Sequence, residues 1–206
     1  MCMARERLDK MLASRGAGSR KEVGGLIRAG RVTVNGAACR DPACKVDADV
    51  DTICVDGVAL RARRERYFML NKPMGVISAT EDASQQTVLS LLPERERDGL
   101  APVGRLDKDS EGLILMTNQG DLVNRMMRGS SGHEKEYLVW IDRPVKPEFI
   151  QKMKKGVFLP ELDATTKPCF AEMTGEKSFR IILTQGLNRQ IRRMCEQLGC
   201  KVRKLK

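Results

Sequence analysis

Two short apolar runs, Leu100-Ala101-Pro102-Val103 and Leu113-Ile114-Leu115-Met116, bracket a charged segment near the middle of the chain. Runs this short read as buried strands. The segment between them, Gly104-Arg105-Leu106-Asp107-Lys108-Asp109-Ser110-Glu111-Gly112, has glycine at both ends, three carboxylates and two cations. It therefore reads as a strand-to-strand loop that presents polar side chains from a rigid scaffold. Asp107 is the carboxylate nearest the first strand. Arg105 precedes it by two residues, so in extended chain the two point to the same side. Taken alone, such a loop is also what a solvated turn looks like, since most charged loops do no chemistry.

Charge narrows the partners. The 206-residue chain carries a net +10, and residues 1–31 and 176–206 hold +5 and +7 of it, leaving the middle at −2. Two basic ends around a weakly acidic middle suit a polyanion gripped at two places, and nucleic acid is the expected one. No apolar run approaches the length of a membrane helix, and the N-terminus lacks an apolar signal core, so a cytoplasmic protein without membrane contact is expected. Seven cysteines, one histidine and no Cys-x-x-Cys pair give poor support for structural zinc, and reduced thiols are expected.

The first 60 residues read as helix, helix, strand. Leu8, Met11 and Leu12 have helical spacing over Arg5–Arg15, and Gly16 and Gly18 end that helix. Ser19 caps a second helix over Arg20–Arg28, with Glu22 completing a capping box. Gly24-Gly25 inside it costs about 1 kcal/mol per glycine relative to alanine. Arg31–Val34 alternates as a strand, Asn35-Gly36 signals a tight turn, and Val50–Val55 is a second strand closed by Asp56-Gly57. Arg7, Lys10, Arg20, Lys21, Arg28 and Arg31 crowd this short span, and such cations grip phosphates rather than read bases. Leu60–Arg66 is charged and apolar-poor, the profile of an interdomain linker.

Beyond it, Tyr67–Leu70 reads as a strand leading into Asn71-Lys72-Pro73-Met74-Gly75, where Pro73 stops regular pairing. Val76–Ser78 resumes a strand and Thr87–Leu92 is a short helix ended by Pro93. Asp121 is read as the cap of a helix to about Arg128, followed by a small polar loop, Gly129–Gly132. Lys135–Trp140 alternates as a strand that carries Tyr137, Pro147–Lys155 is a helix, residues 156–176 look irregular, and Phe179–Thr184 is a strand. A final helix begins near Arg189, where Arg189, Arg192 and Arg193 at i, i+3 and i+4 share a face. Val202–Leu205 starts a short basic strand.

Gly104-Arg105-Leu106-Asp107 resembles the catalytic motif of the RNA pseudouridine synthases. The longer string Gly104 to Asn118 resembles their bacterial ribosomal RNA branch, and Asn188-Arg189-Gln190-Ile191-Arg192-Arg193-Met194 resembles the third synthase motif. Asn71-Lys72-Pro73-Met74-Gly75 is similar to the element that opens the synthase domain. Arg7-Leu8-Asp9-Lys10, Ser19-Arg20-Lys21, Gly30-Arg31-Val32 and Asn35-Gly36 resemble the S4 RNA-binding module. The strings around Asp107 and from His133 to Val139 look most like the F-type branch, whose members act on large-subunit rRNA and also on a tyrosine tRNA.

The resemblance implies an α+β chain: a small α/β S4 RNA-binding domain at 5–62, then a mixed, mainly antiparallel-sheet synthase domain at 67–206. It implies that Asp107 is the nucleophile, that Tyr137 stacks on the flipped uracil and that Arg192 pairs with the carboxylate. Arg105, Arg189 and Arg193 then join the six N-terminal cations as RNA contacts. A monomer without metal or other cofactor is expected, because the isomerisation neither oxidises nor hydrolyses anything. The family usually continues with further strands and a final helix, so a shortened C-terminal end is expected. Two other readings compete. A non-catalytic RNA-binding or ribosome-assembly factor would need the S4 module but not Asp107, Tyr137 and Arg192 together. A glycoside hydrolase would need a second carboxylate across a sugar pocket, for which Asp109 and Glu111 are the available groups.

Overall fold

The spacing that predicts a helix from Arg5 is overridden at its start. In the computed structural model, which describes residues 5–47, 50–60, 65–127 and 132–206, the first element is a strand, β1 (Glu6–Arg7). It is followed by α1 (Leu8–Ser14), α2 (Arg20–Arg28), β2 (Val32–Val34), β3 (Ala37–Ala38), β4 (Lys45–Val46), β5 (Ile53–Val55) and β6 (Val58–Ala59). β1 pairs antiparallel with β4, a partner far along the chain that local spacing cannot reveal. The amides of Leu8 and Asp9 donate to the carbonyls of Cys44 and Pro42, at 2.8 and 3.1 Å, so backbone takes the place of a side-chain cap on α1.

α2 spans the residues its cap predicts. Glu22 N–H donates to Ser19 Oγ at 3.3 Å and Ser19 N–H donates to Glu22 Oε2 at 2.7 Å. β3, β2, β5 and β6 lie in that order in one antiparallel sheet. Its two outer hairpins turn at Asn35-Gly36 and Asp56-Gly57, where all four residues have positive φ, the requirement of the type I′ turn. The strand expected from Val50 begins only at Ile53. Asn35 holds the preceding residues in a turn, donating to Asp51 and accepting from Thr52 N–H, and this leaves Val50 exposed. Leu8, Met11, Leu12, Val23 and Ile27 from the helices bury against Val32, Val46 and Ile53.

The chain divides into two units, one reaching Arg66 and including Asn118–Gly120, the other made of Tyr67–Thr117 and Asp121–Lys206. The second contains β7 (Tyr67–Lys72), α3 (Glu94–Arg97), β8 (Ala101–Val103) and β9 (Gly112–Thr117), with α4 (Gly120–Met127) following. Next come β10 (Lys135–Ile141), α5 (Pro147–Lys155), β11 (Phe158–Leu159), β12 (Ala164–Thr165), β13 (Phe170–Gly175), β14 (Ser178–Leu183), α6 (Gln190–Gln197) and β15 (Val202–Leu205). One antiparallel sheet has the order β7-β9-β8 and another the order β13-β14-β10-β15. The chain is thus mixed α+β with antiparallel sheets.

Several expectations in this unit are corrected. Val76–Ser78 is not a strand: only Ile77 bridges, to Thr87, and the Ser78 side chain is turned to the backbone of Leu106. Thr87–Leu92 contains a single 3-10 turn at Leu89–Leu91, and a short helix, α3, follows Pro93. α4 begins at Gly120, so Asp121 sits in its first turn, where a carboxylate favours the helix dipole, rather than at its cap. The irregular stretch 156–176 resolves into the β11–β12 hairpin and strand β13. Parts of the linker Leu60–Arg66 and of the loop Gly129–Gly132, and the helix end at Arg128, lie outside the described residues.

The larger core packs α5 and α6 on β10 and β14 through Val139, Ile141, Met153, Ile181, Ile191 and Met194, with Phe149 and Phe179 edge to face at 5.3 Å. A smaller cluster, Val76, Val88, Leu100, Ile114 and Met116, supports the β7-β9-β8 sheet. Glu111 N–H donates to the Leu205 carbonyl at 3.0 Å, and Lys204 pairs with the Glu111 carboxylate at 2.9 Å. These contacts bring the loop before β9 beside β15. Among the described residues no helix is long and apolar enough to cross a membrane.

Candidate active site

The loop between β8 and β9 is fastened from below at several points. Ser78 Oγ donates to the Leu106 carbonyl at 2.8 Å and accepts from its amide at 3.0 Å. Gly75 N–H donates to the Lys108 carbonyl at 2.8 Å, and Ser110 N–H to the Asp107 carbonyl at 3.1 Å. Beneath them lies Lys72, fully buried at the end of β7. Its ammonium donates to the carbonyls of Ser110 at 2.6 Å and Pro73 at 3.0 Å. Burial pulls the Lys72 ammonium below its ordinary range, against the opposing pull of the Asp107 and Asp109 charges. Nothing in the string Asn71-Lys72-Pro73 signals that this lysine is interior.

Opposite the loop stands the start of α6. Arg189 occupies the cap position with φ 50° and ψ 33°, a left-handed conformation uncommon for a side chain of its kind. The helix begins at Gln190, next to the expected start, and of the three arginines only Arg189 and Arg192 reach the loop. Arg189 forks onto Asp109, Nη1 to Oδ1 at 3.2 Å and Nη2 to Oδ2 at 3.0 Å, and its Nη1 lies 3.6 Å from Asp107 Oδ2. Arg192, buried, donates from Nη2 to the Asp109 carbonyl at 2.8 Å and to Ser110 Oγ at 3.2 Å. Its Nε lies 3.9 Å from Asp107 Oδ2 and has no hydrogen-bond partner among the described residues. Arg193 turns elsewhere, donating to Asn188 and pairing with Glu161.

Asp107 is thus partly exposed and meets two guanidiniums at ion-pair range only. Burial works to raise the neighbouring Asp109 carboxyl, but the Arg189 hydrogen bonds and the charges of Arg192 and Arg189 outweigh it and hold Asp109 below its usual range. Tyr137 on β10 is half-buried. Burial first, and the negative charge of Asp107 second, raise its phenol above the ordinary value, so the hydroxyl keeps its proton at neutral pH. Asp107, Tyr137, Arg189 and Arg192 are brought together. Arg105 is exposed on the loop, with no ion pair among the described residues. From sequence, Asp109 has a role only as the second carboxylate of a hydrolase. That role fails for Asp109: the general acid of a hydrolase must hold its proton, whereas the arginines hold the Asp109 carboxyl below its usual range.

In the first unit the six cations divide. Arg7 forks onto Asp9 at 3.0 and 2.9 Å and Arg20 joins the same carboxylate at 3.1 Å. Arg31 forks onto Asp56, and Lys10 approaches Glu6 at 3.8 Å. Lys21 and Arg28 are exposed without ion pairs among the described residues. Counting acids in the segment concealed this, because Asp9 takes both its near neighbour Arg7 and the more distant Arg20, and Asp56 comes from outside the segment to meet Arg31.

The fold and the paired loop and helix define a class. The family model for RNA pseudouridylate synthase matches residues 66–197 and that for the S4 domain matches residues 6–51, and the chain belongs to the RNA pseudouridylate synthase family. It is 43% identical over 202 residues to the dual-specificity RNA pseudouridine synthase RluF of Escherichia coli (strain K12), covering 97% of this chain and 68% of that one. It is 40% identical over 205 residues to the uncharacterized RNA pseudouridine synthase YtzG of Bacillus subtilis (strain 168), covering 97% and 85%. A crystal structure of a pseudouridylate synthase superposes with a TM-score of 0.68 at 28% identity, covering 97% of this chain and 86% of that one. The reading of a non-catalytic assembly factor finds no support in these relatives.

Proposed function

We propose that this enzyme isomerises uridine to pseudouridine in large-subunit rRNA, with a tyrosine tRNA as second substrate, and that Asp107, Tyr137 and Arg192 carry the reaction. The carrying observation is the Asp107 carboxylate, a third exposed and faced by Arg189 and Arg192 at 3.6 and 3.9 Å. The likeness to a dual-specificity relative supports the choice of RNA. The reaction breaks the N1–C1′ bond, turns the base and forms a C5–C1′ bond. N1 gains a proton and C5 loses one, so no oxidant, reductant or water is consumed. Asp107 stands beside the sugar and assists departure of the base, as carboxylates do in glycosyl transfer. Arg189 and Arg192 set two positive charges within 4 Å of the Asp107 carboxylate.

Tyr137 stacks on the uracil, an interaction that tolerates rotation because the base has a π face in any orientation. Its protonated hydroxyl is available for proton transfer once the base has turned. The target nucleotide leaves its stack at a cost of a few kcal/mol, and Arg105 on the exposed loop holds the opened nucleotide. Residues 5–62 form the S4 RNA-binding domain and 67–206 the synthase domain of a cytoplasmic monomer. In the S4 domain Lys21 and Arg28 lead the phosphate contacts, with Arg7, Lys10, Arg20 and Arg31 around them. Arg189 and, from its pairing with Glu161, Arg193 supply further RNA contacts.

The test is tritium release from RNA carrying 5-³H-uridine, comparing this chain with Asp107→Ala. Release by the wild type and none by the variant is the expected result. Release by both removes Asp107 from the mechanism. Release by neither, with large-subunit rRNA as substrate, overturns the assigned substrate.

A further inference from the structure

We propose that Asp109 is a positioning residue that draws off the arginine hydrogen bonds which would otherwise close on Asp107, leaving Asp107 paired in charge but free in its lone pairs. The inference rests on the reading of Asp107 as the acting carboxylate. An ionised carboxylate accepts a bidentate arginine readily, and that fork is among the strongest hydrogen-bonded pairs in proteins. A carboxylate so occupied has fewer lone pairs with which to attack or to take a proton. Two guanidiniums come within 4 Å of Asp107, yet neither donates to it: the contacts are 3.6 and 3.9 Å. The short bonds go instead to the next carboxylate along the loop, to its backbone and to Ser110 Oγ. Arg189 reaches both Asp109 oxygens at 3.2 and 3.0 Å, and Arg192 reaches the Asp109 carbonyl at 2.8 Å and the Asp109 carboxylate at 3.3 Å.

The unpartnered atom in the site points the same way. Arg192 is 8% exposed, and its Nε has no hydrogen-bond partner among the described residues. Buried polar atoms of this kind are few in folded proteins and call for a reason. Asp107 Oδ2 lies 3.9 Å from it, just beyond bonding reach. The turn closed by Ser110 N–H on the Asp107 carbonyl sets the two aspartates side by side, so α6 meets both, and Asp109 is the one that accepts. Because the arginines hold Asp109 ionised, it remains an acceptor through the neutral range.

Removing the Asp109 charge should let Arg189 swing onto Asp107, and removing Arg189 as well should undo that harm. Single-turnover tritium release gives the chemical rate, RNA binding at fixed salt gives affinity, and thermal melting reports folding. Asp109→Asn is expected to slow chemistry by at least about tenfold with RNA affinity within about threefold of the wild type, a loss confined to the chemical step. The double variant Asp109→Asn with Arg189→Gln is expected to be faster than Asp109→Asn alone by about threefold or more, a non-additive rescue that a merely structural role would not give. A wild-type rate in Asp109→Asn, or a double variant no faster than the single one, overturns the proposal. Asp109→Ser, alone and with Arg189→Gln, repeats the comparison. Failure of both sets to fold also overturns it, since a positioning residue is dispensable for the fold. Asp107→Ala is assayed in parallel: activity there removes the underlying reading, whereas inactivity there with a wild-type rate in Asp109→Asn overturns this inference alone.

Discussion

The ammonium of Lys72 donates to the carbonyl oxygen of Ser110 at 2.6 Å, tying the end of β7 to the loop that carries Asp107. A second bond to the Pro73 carbonyl completes a buried bracket under the site. Lys72→Met keeps the stem and removes the donor. It should destabilise the second unit by about 1–3 kcal/mol, the cost of leaving buried acceptors unmet, offset in part by no longer burying a charge. Chemical denaturation measures the loss. An unchanged midpoint would show that the bracket contributes nothing to stability.

Arg192 supplies charge to Asp107 and hydrogen bonds to the Asp109 and Ser110 backbone and side chain. Arg192→Ala should lower the chemical rate by about 10²–10³, the usual effect of deleting a preorganised donor in a water-poor site, and weaken RNA binding by far less. Arg192→Lys restores charge without the planar fork and should recover only part of the rate. Equal losses in rate and in affinity for Arg192→Ala would assign the residue to RNA binding instead.

Tyr137 offers two separable properties. Tyr137→Phe keeps the ring and should retain substrate affinity while slowing chemistry. Tyr137→Leu loses the ring and should cost about 1–3 kcal/mol in binding of the flipped base. Since burial and Asp107 raise the phenol, it stays protonated at least up to its ordinary pKa near 10. The wild-type rate should therefore show no alkaline decline from this group between neutrality and that limit. A decline that appears well below pH 10 and vanishes in Tyr137→Phe would contradict the assignment.

In the first unit, hydrogen bonds from Arg7 outweigh the opposing effect of burial and, with Arg20 adding to them, bring the Asp9 carboxyl from 3.8 down to about 2. Its folded value lies below its unfolded one, so the stabilisation is fully present above about pH 4 and is lost as pH falls through about 2. Both arginines are largely solvated, which reduces the effect to roughly 1 kcal/mol. Asp9→Asn should remove that increment at neutral pH and flatten the acid-side fall in stability. The midpoint of denaturation followed against pH is the check.

Where sequence and structure agree, the information is local. Ser19 and Glu22 close their box within one helical turn, Asn35-Gly36 and Asp56-Gly57 build their turns from their own φ preferences, and Pro147 opens a helix that ends at Lys155 as its composition indicates. The carboxylate loop was legible because its two flanking strands are. What stayed hidden depends on partners remote in the chain. Arg7 is extended because Lys45 pairs with it, and Lys72 is interior because Ser110 covers it. Arg193 leaves the site because Glu161 claims it, and Asp109 gains its place from Arg189. Periodicity predicted that α6 would present three arginines together, yet only Arg189 and Arg192 turn to the loop while Arg193 is held by Asn188 and Glu161.

Arg192 and Asp109 are 83 residues apart in sequence. At translation rates of about 5–20 residues per second, the loop emerges from the ribosome about 4–17 s before the helix that pairs with it. During that interval the nascent chain displays Asp107 and Asp109 without their guanidiniums, while the first unit up to Arg66 has already been made. The carboxylate pair therefore waits for its arginines until α6 has been made, long after the residues that match the S4 domain.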